Sequence, residues 1–170
     1  MKDWGSSLSN LAACYRIAEP TISGFSSFEC ILPLLHRFYG CGAPLPAGLA
    51  GVTVLDLGCG SGRDCYVASA LVGEEGRVIG VDMTDEQLDT AKAHLEDYTR
   101  TLGYDRPNIT FLKGYIEFLD QAGVGEGTVD VVISNCVINL CPDKGLALAS
   151  AFRALRPGGE LHFSDIYTSR

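Results

Sequence analysis

Short apolar runs rich in β-branched residues alternate along this chain with longer stretches whose apolar positions recur at helical spacing. Strands and helices are therefore expected to take turns. The first run, Val52-Thr53-Val54-Leu55-Asp56-Leu57, is stopped by glycines. Near-continuous hydrophobicity of this kind suits a strand buried on both faces of a parallel sheet. Helical spacing then runs from about Arg63 to Leu71, Gly73-Glu74-Glu75-Gly76 supplies a turn, and Arg77 to Asp82 reads as a second strand, completing a βαβ unit. Thr84 with Gln87 three residues later has the form of a capping box, and the helix it opens is predicted to reach about Leu102 before Gly103.

A third strand is expected from Ile109 to Leu112, a short helix from Tyr115 to Gln121 and a fourth strand from Val129 to Ser134. A helix from Asp143 to Leu155 and a fifth strand from Glu160 to Ser164 follow, separated by the Pro157-Gly158-Gly159 turn. The alternation predicts an α/β fold built on a doubly wound, mostly parallel sheet. Residues 1–50 fit this rhythm less well. Phe28 to Tyr39 is a predicted helix containing Pro33, and Gly42-Ala43-Pro44-Leu45-Pro46 is a loop leading into the sheet. They are read as a helical lid segment preceding a core of residues 51–170.

With 170 residues, 46% of them hydrophobic, the chain can bury a sizeable single core. Its formal charge of −8 argues against nucleic acid as a partner, since binding to the phosphate backbone depends on clustered Lys and Arg. The start, Met1 to Ser6, lacks a basic segment followed by an apolar run, and no stretch stays apolar long enough to span a bilayer. A soluble protein without a membrane partner is expected. Seven cysteines, an odd number and none paired in C-x-x-C units, suggest reduced thiols of a cytoplasmic protein rather than a disulfide framework or zinc site.

Gly58-Cys59-Gly60-Ser61-Gly62 follows the first strand, where missing side chains let backbone N–H groups approach a ligand at a helix N-terminus. A dinucleotide fingerprint would need glycine in place of Arg63, and Asp56, two residues before the first glycine, would repel a pyrophosphate. A carboxylate there suits a cationic cofactor. S-adenosylmethionine, with an ammonium and a sulfonium but no phosphate, fits better than a nicotinamide dinucleotide. Asp82, twenty residues after Gly62 at the end of the second strand, can accept hydrogen bonds from two ribose hydroxyls. The simpler alternative is a tight turn flanked by two solvated aspartates; the joint spacing favours the cofactor.

Two cysteines lie where chemistry could occur. Cys136, in Ser134-Asn135-Cys136-Val137-Ile138-Asn139-Leu140, follows the fourth strand at the carboxyl edge of the sheet, where open α/β folds bind ligands. Cys41, in Tyr39-Gly40-Cys41-Gly42, sits in the lid between adaptable glycines. Their alternative reading is as inert core cysteines, the role expected of Cys30, Cys59, Cys65 and Cys141.

Asp56 to Asp64, Gly80-Val81-Asp82-Met83-Thr84, Ser134 to Leu140 and Phe163-Ser164-Asp165-Ile166-Tyr167, combined with Tyr-Gly-Cys-Gly, resemble the arsenite methyltransferases. The resemblance covers about Tyr39 to Thr168. It implies a Rossmann-like class I fold and methyl transfer from S-adenosylmethionine to arsenite, free or as its glutathione complex, with glutathione or thioredoxin as reductant. Cys41 and Cys136 match the family's arsenic-binding cysteines, and Cys14 an upstream one. Asp56, Gly58, Cys59, Gly60, Ser61, Gly62, Arg63, Asp82 and Met83 fall on its cofactor positions, as do Tyr39, Gly114, Tyr115, Ile116 and Asn135. Two departures matter: Tyr15 to Pro33 does not match, and the chain stops just after the fifth strand. Family members continue into a C-terminal region carrying another arsenic-binding cysteine, so the core is expected to be truncated. A binding module without turnover, or a methyltransferase acting on carbon or oxygen of a small metabolite, are the competing expectations.

Overall fold

A computed structural model describes Gly42 and residues 44–166. The predicted lid helix, with Cys14, Tyr39 and Cys41, lies outside the described residues. Five strands, β1 (Thr53–Leu57), β2 (Arg77–Asp82), β3 (Ile109–Lys113), β4 (Val129–Asn135) and β5 (Leu155–Ser164), form one sheet in the order β3-β2-β1-β4-β5. Every pairing is parallel. The helices are α1 (Arg63–Val72), α2 (Asp85–Ala93), α3 (Leu95–Leu102) and α4 (Lys144–Ala154). Strand order runs outward in one direction from β1 to β3 and in the other from β4 to β5. The direction therefore reverses between β1 and β4, and the crevice beyond their carboxyl ends is where such sheets bind ligands.

Successive residues of the strands feed two cores, because side chains alternate across a sheet. Val54, Val78 and Ile133 pack with Tyr66 of α1 and Leu88 of α2 on one face. Leu55, Val81 and Val132 pack with Ala147 and Ala151 of α4 on the other. This two-sided burial explains why β1 and β4 are mostly apolar, with β-branched residues on both faces.

Four expectations change at the elements. The single helix predicted to Leu102 is two helices broken at His94. The second is held on α1 by Tyr98, which donates its hydroxyl to the Tyr66 carbonyl at 2.7 Å and sets its ring edge-on to that of Tyr66, centroids 4.7 Å apart. Thr84 makes no side-chain cap to α2; its own amide instead donates to Asp82 Oδ1 at 2.9 Å. The fifth strand begins at Leu155, five residues early. Pro157-Gly158-Gly159 is a bulge inside it, since Val129 pairs with Leu155 and Val131 with Glu160. The short helix shrinks to a 3₁₀ turn, Ile116–Phe118. Among the described residues no helix is long and apolar enough to cross a membrane.

Candidate functional site

Register brings the two sequence motifs together. Leu57, last in β1, pairs with Ser134 of β4, so the glycine loop and the Cys136 segment leave neighbouring strands at the same edge of the sheet. Gly58, Gly60 and Gly62 all have positive φ (65°, 54° and 84°), which is why the turn into α1 needs residues without a Cβ. At Gly58 a Cβ would stand 2.5 Å from the Val137 methyls of the loop after β4. At Gly60 a Cβ would meet nothing nearer than the Gln87 side chain at 4.0 Å, so this face of the loop is open. The loop is pinned to β2 by Cys59 N donating to the Val81 carbonyl at 3.0 Å.

Asp82 completes the pinning. Its Oδ2 accepts from Gly60 N and its Oδ1 from Thr84 N, both at 2.9 Å. Each carboxylate oxygen keeps a lone pair for a further donor. Beside it, Gly114 N donates to the Asp82 carbonyl at 3.0 Å, and a Cβ on Gly114 would fall 2.5 Å from that of Ala122. Met83, next to Asp82 in sequence, and Tyr115, next to Gly114, stand more than half exposed, 62% and 61%. Ile116, by contrast, is buried in the second core.

Asp56 is buried beneath the glycine loop, where Cys65 Sγ donates to its Oδ2 at 3.3 Å. Burial, followed by the neighbouring Asp64 charge, pushes its carboxyl well above the usual range; the Cys65 hydrogen bond and Arg63 pull the other way. Cys59 and Cys65 are both free thiols. A hydrogen bond with Cys65 works to lower the Cys59 thiol, but burial and the Asp56 and Asp82 charges outweigh it. Burial pushes the Cys65 thiol up strongly, with help from Cys59 and Asp56. Both are held as neutral thiols, as their structural reading expects.

Cys136 differs. It is the one non-glycine with positive φ (56°) among the described residues, a conformation that costs about 1 kcal/mol or more and that concentrates at functional sites. Its amide donates to the Ser164 carbonyl of β5 at 2.8 Å. It is also disulfide-bonded, whereas Cys59, Cys65 and Cys141 are free thiols. The expectation of reduced thiols is corrected at this position.

Arg63 and Asn135 turn their polar ends to each other's neighbourhood rather than into the open face of the loop. Arg63 Nε and Nη2 donate to Asp64 Oδ1 at 2.8 and 2.6 Å, a buried ion pair. Asn135 Nδ2 donates to Asp64 Oδ2 at 3.0 Å and to the Gly42 carbonyl at 2.7 Å, and its Oδ1 accepts from Gly42 N at 3.3 Å. Asp64 and Gly42 were not singled out by the sequence reading. The available signal was an Arg-Asp pair opening an otherwise apolar helix, Arg63-Asp64-Cys65-Tyr66-Val67-Ala68. Charges are seldom buried there without a partner.

Residues 49–170 match a family described as "Methyltransferase domain". The chain belongs to that family. Among curated relatives of this methyltransferase-domain chain, the arsenite methyltransferase of Rattus norvegicus is 52% identical over 136 residues, spanning 80% of the chain and 37% of the relative. That of Aquipseudomonas alcaligenes is 55% identical over 134 residues, 79% of the chain and 38% of the relative. The chain thus spans little more than a third of the length of the curated relatives it matches.

A crystal structure of an arsenic(III) S-adenosylmethionine methyltransferase from Chlamydomonas reinhardtii superposes with a TM-score of 0.78 at 57% identity, covering 80% of this chain and 46% of that one. The parallel α/β sheet with helices is the fold class expected from the sequence. The fold of the described core matches solved S-adenosylmethionine-dependent methyltransferases.

Proposed function

We propose that this chain is the cofactor- and arsenic-binding part of an S-adenosylmethionine-dependent arsenite methyltransferase, which holds trivalent arsenic on cysteine thiolates. The observation that carries the reading is the identity above 50% to arsenite methyltransferases over some 80% of the chain. It is supported by the side-by-side arrangement of the glycine loop and the Cys136 segment at the sheet's reversal point. A cytoplasmic location, with glutathione or thioredoxin as reductant, belongs to the same reading.

The residues fit the cofactor. The open face at Gly60 leaves room for it above the loop, and no pyrophosphate-repelling conflict arises for a cationic ligand near Asp56. S-adenosylmethionine, when bound, supplies an electrophilic methyl group on a sulfonium. Gly58, Cys59, Gly60, Ser61 and Gly62 form the cradle with backbone groups. Asp82 accepts from the ribose hydroxyls through its remaining lone pairs, and Met83 and Tyr115 cover the base, with Gly114, Ile116 and Tyr39 completing the pocket. Asp56 attracts the ammonium end, and Arg63 and Asn135 border the site.

Cys41 and Cys136 are the arsenic ligands in this reading, with Cys14 a third candidate. Thiolates are the donors that soft trivalent arsenic prefers. The disulfide on Cys136 must first be reduced, which is the task of the thiol reductant. The arsenic lone pair would form the bond to the methyl carbon with S-adenosylhomocysteine as the leaving group, raising arsenic formally to the pentavalent state that the thiol reductant would return to trivalent, so no side chain would have to remove a proton. The protein's contribution is to hold the arsenic in near-attack geometry and keep water out.

The test is a titration of arsenite into phosphine-reduced protein, with and without S-adenosylmethionine, comparing wild type with Cys41→Ser and Cys136→Ser and assaying methylated products. Thiol-dependent binding with product formation supports the proposal. Thiol-dependent binding without product reduces it to a binding module, and binding that ignores both substitutions moves the function to a small-metabolite methyltransferase.

A further inference from the structure

We infer that Asp64, acting through Asn135, is a positioning residue that holds Gly42, the sequence neighbour of Cys41, against the strand end that carries Cys136. This rests on the reading of Cys41 and Cys136 as the arsenic-binding pair. Cys41 is one peptide bond from Gly42, and Cys136 one from Asn135. Whatever fixes Gly42 to Asn135 therefore couples the two thiol-bearing segments.

The fixing is specific. The Asn135 side chain meets both polar groups of Gly42, accepting from its N–H and donating to its carbonyl, as a neighbouring strand would. Such two-way pairing works in only one orientation of the amide. Asp64 selects that orientation, because a carboxylate only accepts and its Oδ2 lies 3.0 Å from Asn135 Nδ2. Asp64 is in turn held in place by Arg63, which grips the other oxygen twice and reaches the Gly42 carbonyl at 3.4 Å. Arg63 and Asp64 are 4% and 7% exposed, so these bonds form in a low-dielectric setting where they count for more than at the surface.

Gly42 itself has no space for a side chain: a Cβ would fall 2.7 Å from Ser164 Oγ. Ser164 is also the residue whose carbonyl accepts from the Cys136 amide. The contact thus ties Gly42, Asn135, Cys136 and the end of β5 into one unit. For a ligand that must bond two sulfurs, fixing both ends raises the effective concentration of the second thiol. Loosening the unit should therefore weaken bidentate capture while sparing each sulfur's chemistry.

Phenylarsine oxide is the probe. Two As–S bonds form, the As–O bond breaks, and the two thiol protons leave with that oxygen as water, with no change of oxidation state. Its dissociation constant is measured on the phosphine-reduced full chain for wild type, Asp64→Asn, Asn135→Ala, Cys41→Ser and Cys136→Ser. Exchange of the Gly42 amide proton is followed by NMR. Both Asp64→Asn and Asn135→Ala are expected to weaken the arsenical at least tenfold and to speed Gly42 exchange at least tenfold. The Gly60 amide, bonded to Asp82, should keep its protection, and Asp64→Asn should hold S-adenosylmethionine within about threefold of wild type.

If the cysteine variants lose the arsenical but Asp64→Asn and Asn135→Ala bind it like wild type, the positioning role is overturned and the thiol reading stands. If Cys136→Ser binds as tightly as wild type, the thiol reading itself fails. Equal losses of arsenical and S-adenosylmethionine in Asp64→Asn also overturn the inference, by revealing a general disturbance of the loop. Should Asp64→Asn fail to fold, Asn135→Ala decides, because it removes the same amide while leaving the Arg63–Asp64 pair intact.

Discussion

Replacing Asp56 by Asn should make the ligand-free chain more stable at neutral pH while weakening its hold on the cofactor. The Asp56 carboxyl lies buried under the glycine loop, and burial and the Asp64 charge push it well above the usual range. A group whose folded-state value is raised lends stability in its protonated form. That contribution is fully present below the unfolded value, about 3.9, and is lost as pH rises through the folded value. Within that window wild type loses about 1.4 kcal/mol per pH unit relative to a neutral side chain of the same shape. Asparagine keeps an oxygen to accept from Cys65 and carries no charge.

The two proteins should therefore melt together near pH 4 and diverge as pH rises. At neutral pH the variant should be ahead by about 1–3 kcal/mol, the usual gain on removing an incompletely compensated buried charge. For a chain of this size that amounts to roughly 2–12 °C in Tm. Thermal melts at half-unit pH intervals, without ligand, measure the difference directly. In the same variant S-adenosylmethionine should bind about tenfold or more weaker, since a charge-assisted contact to its ammonium is lost. A difference in Tm that does not change between pH 4 and pH 8, or a variant destabilised at neutral pH, would refute the reasoning.

Gly58→Ala puts a side chain both at positive φ and against the Val137 methyls, and should cost about 2–4 kcal/mol by denaturant titration. Asp82→Ala frees the Gly60 and Thr84 amides together and removes the proposed ribose acceptor. Calorimetry should show S-adenosylmethionine affinity down by about 100-fold or more, at two lost hydrogen bonds of about 1.5 kcal/mol each. Asn108 accepts from Ser69 Oγ at 2.6 Å and donates to the Ser69 and Gly73 carbonyls at 3.2 and 2.9 Å, closing the end of α1 far from the loop. Asn108→Ala should lower stability by about 2–3 kcal/mol and leave cofactor affinity unchanged, so a matching fall in affinity would count against the separation of the two regions.

The strands and the ligand edge were legible because parallel strands buried on both faces are predominantly apolar, and because positive φ in a strand-to-helix turn leaves glycine as the default. Val52 to Leu57 and Gly58 to Gly62 satisfy those conditions locally. Local signals misled where distant contacts decide. The helix from Thr84 breaks at His94 because Tyr98 is claimed by Tyr66, thirty-two residues away. Pro157-Gly158-Gly159 reads as a turn, yet the ladder with β4 passes it as a bulge.

What the sequence determined by itself, then, was the alternation of elements, the glycine loop with Asp82 beyond it, and Cys136 at a strand end, each fixed by neighbours within a few positions. Only the tertiary structure decided that Asp56 is buried and raised rather than solvated. It alone disclosed that Asp64, Asn135 and Gly42 meet across separations of 71 and 93 residues. Burial and long-range hydrogen bonds depend on how the strands are ordered and on which residues that order brings to one edge, and no local pattern of residues encodes either.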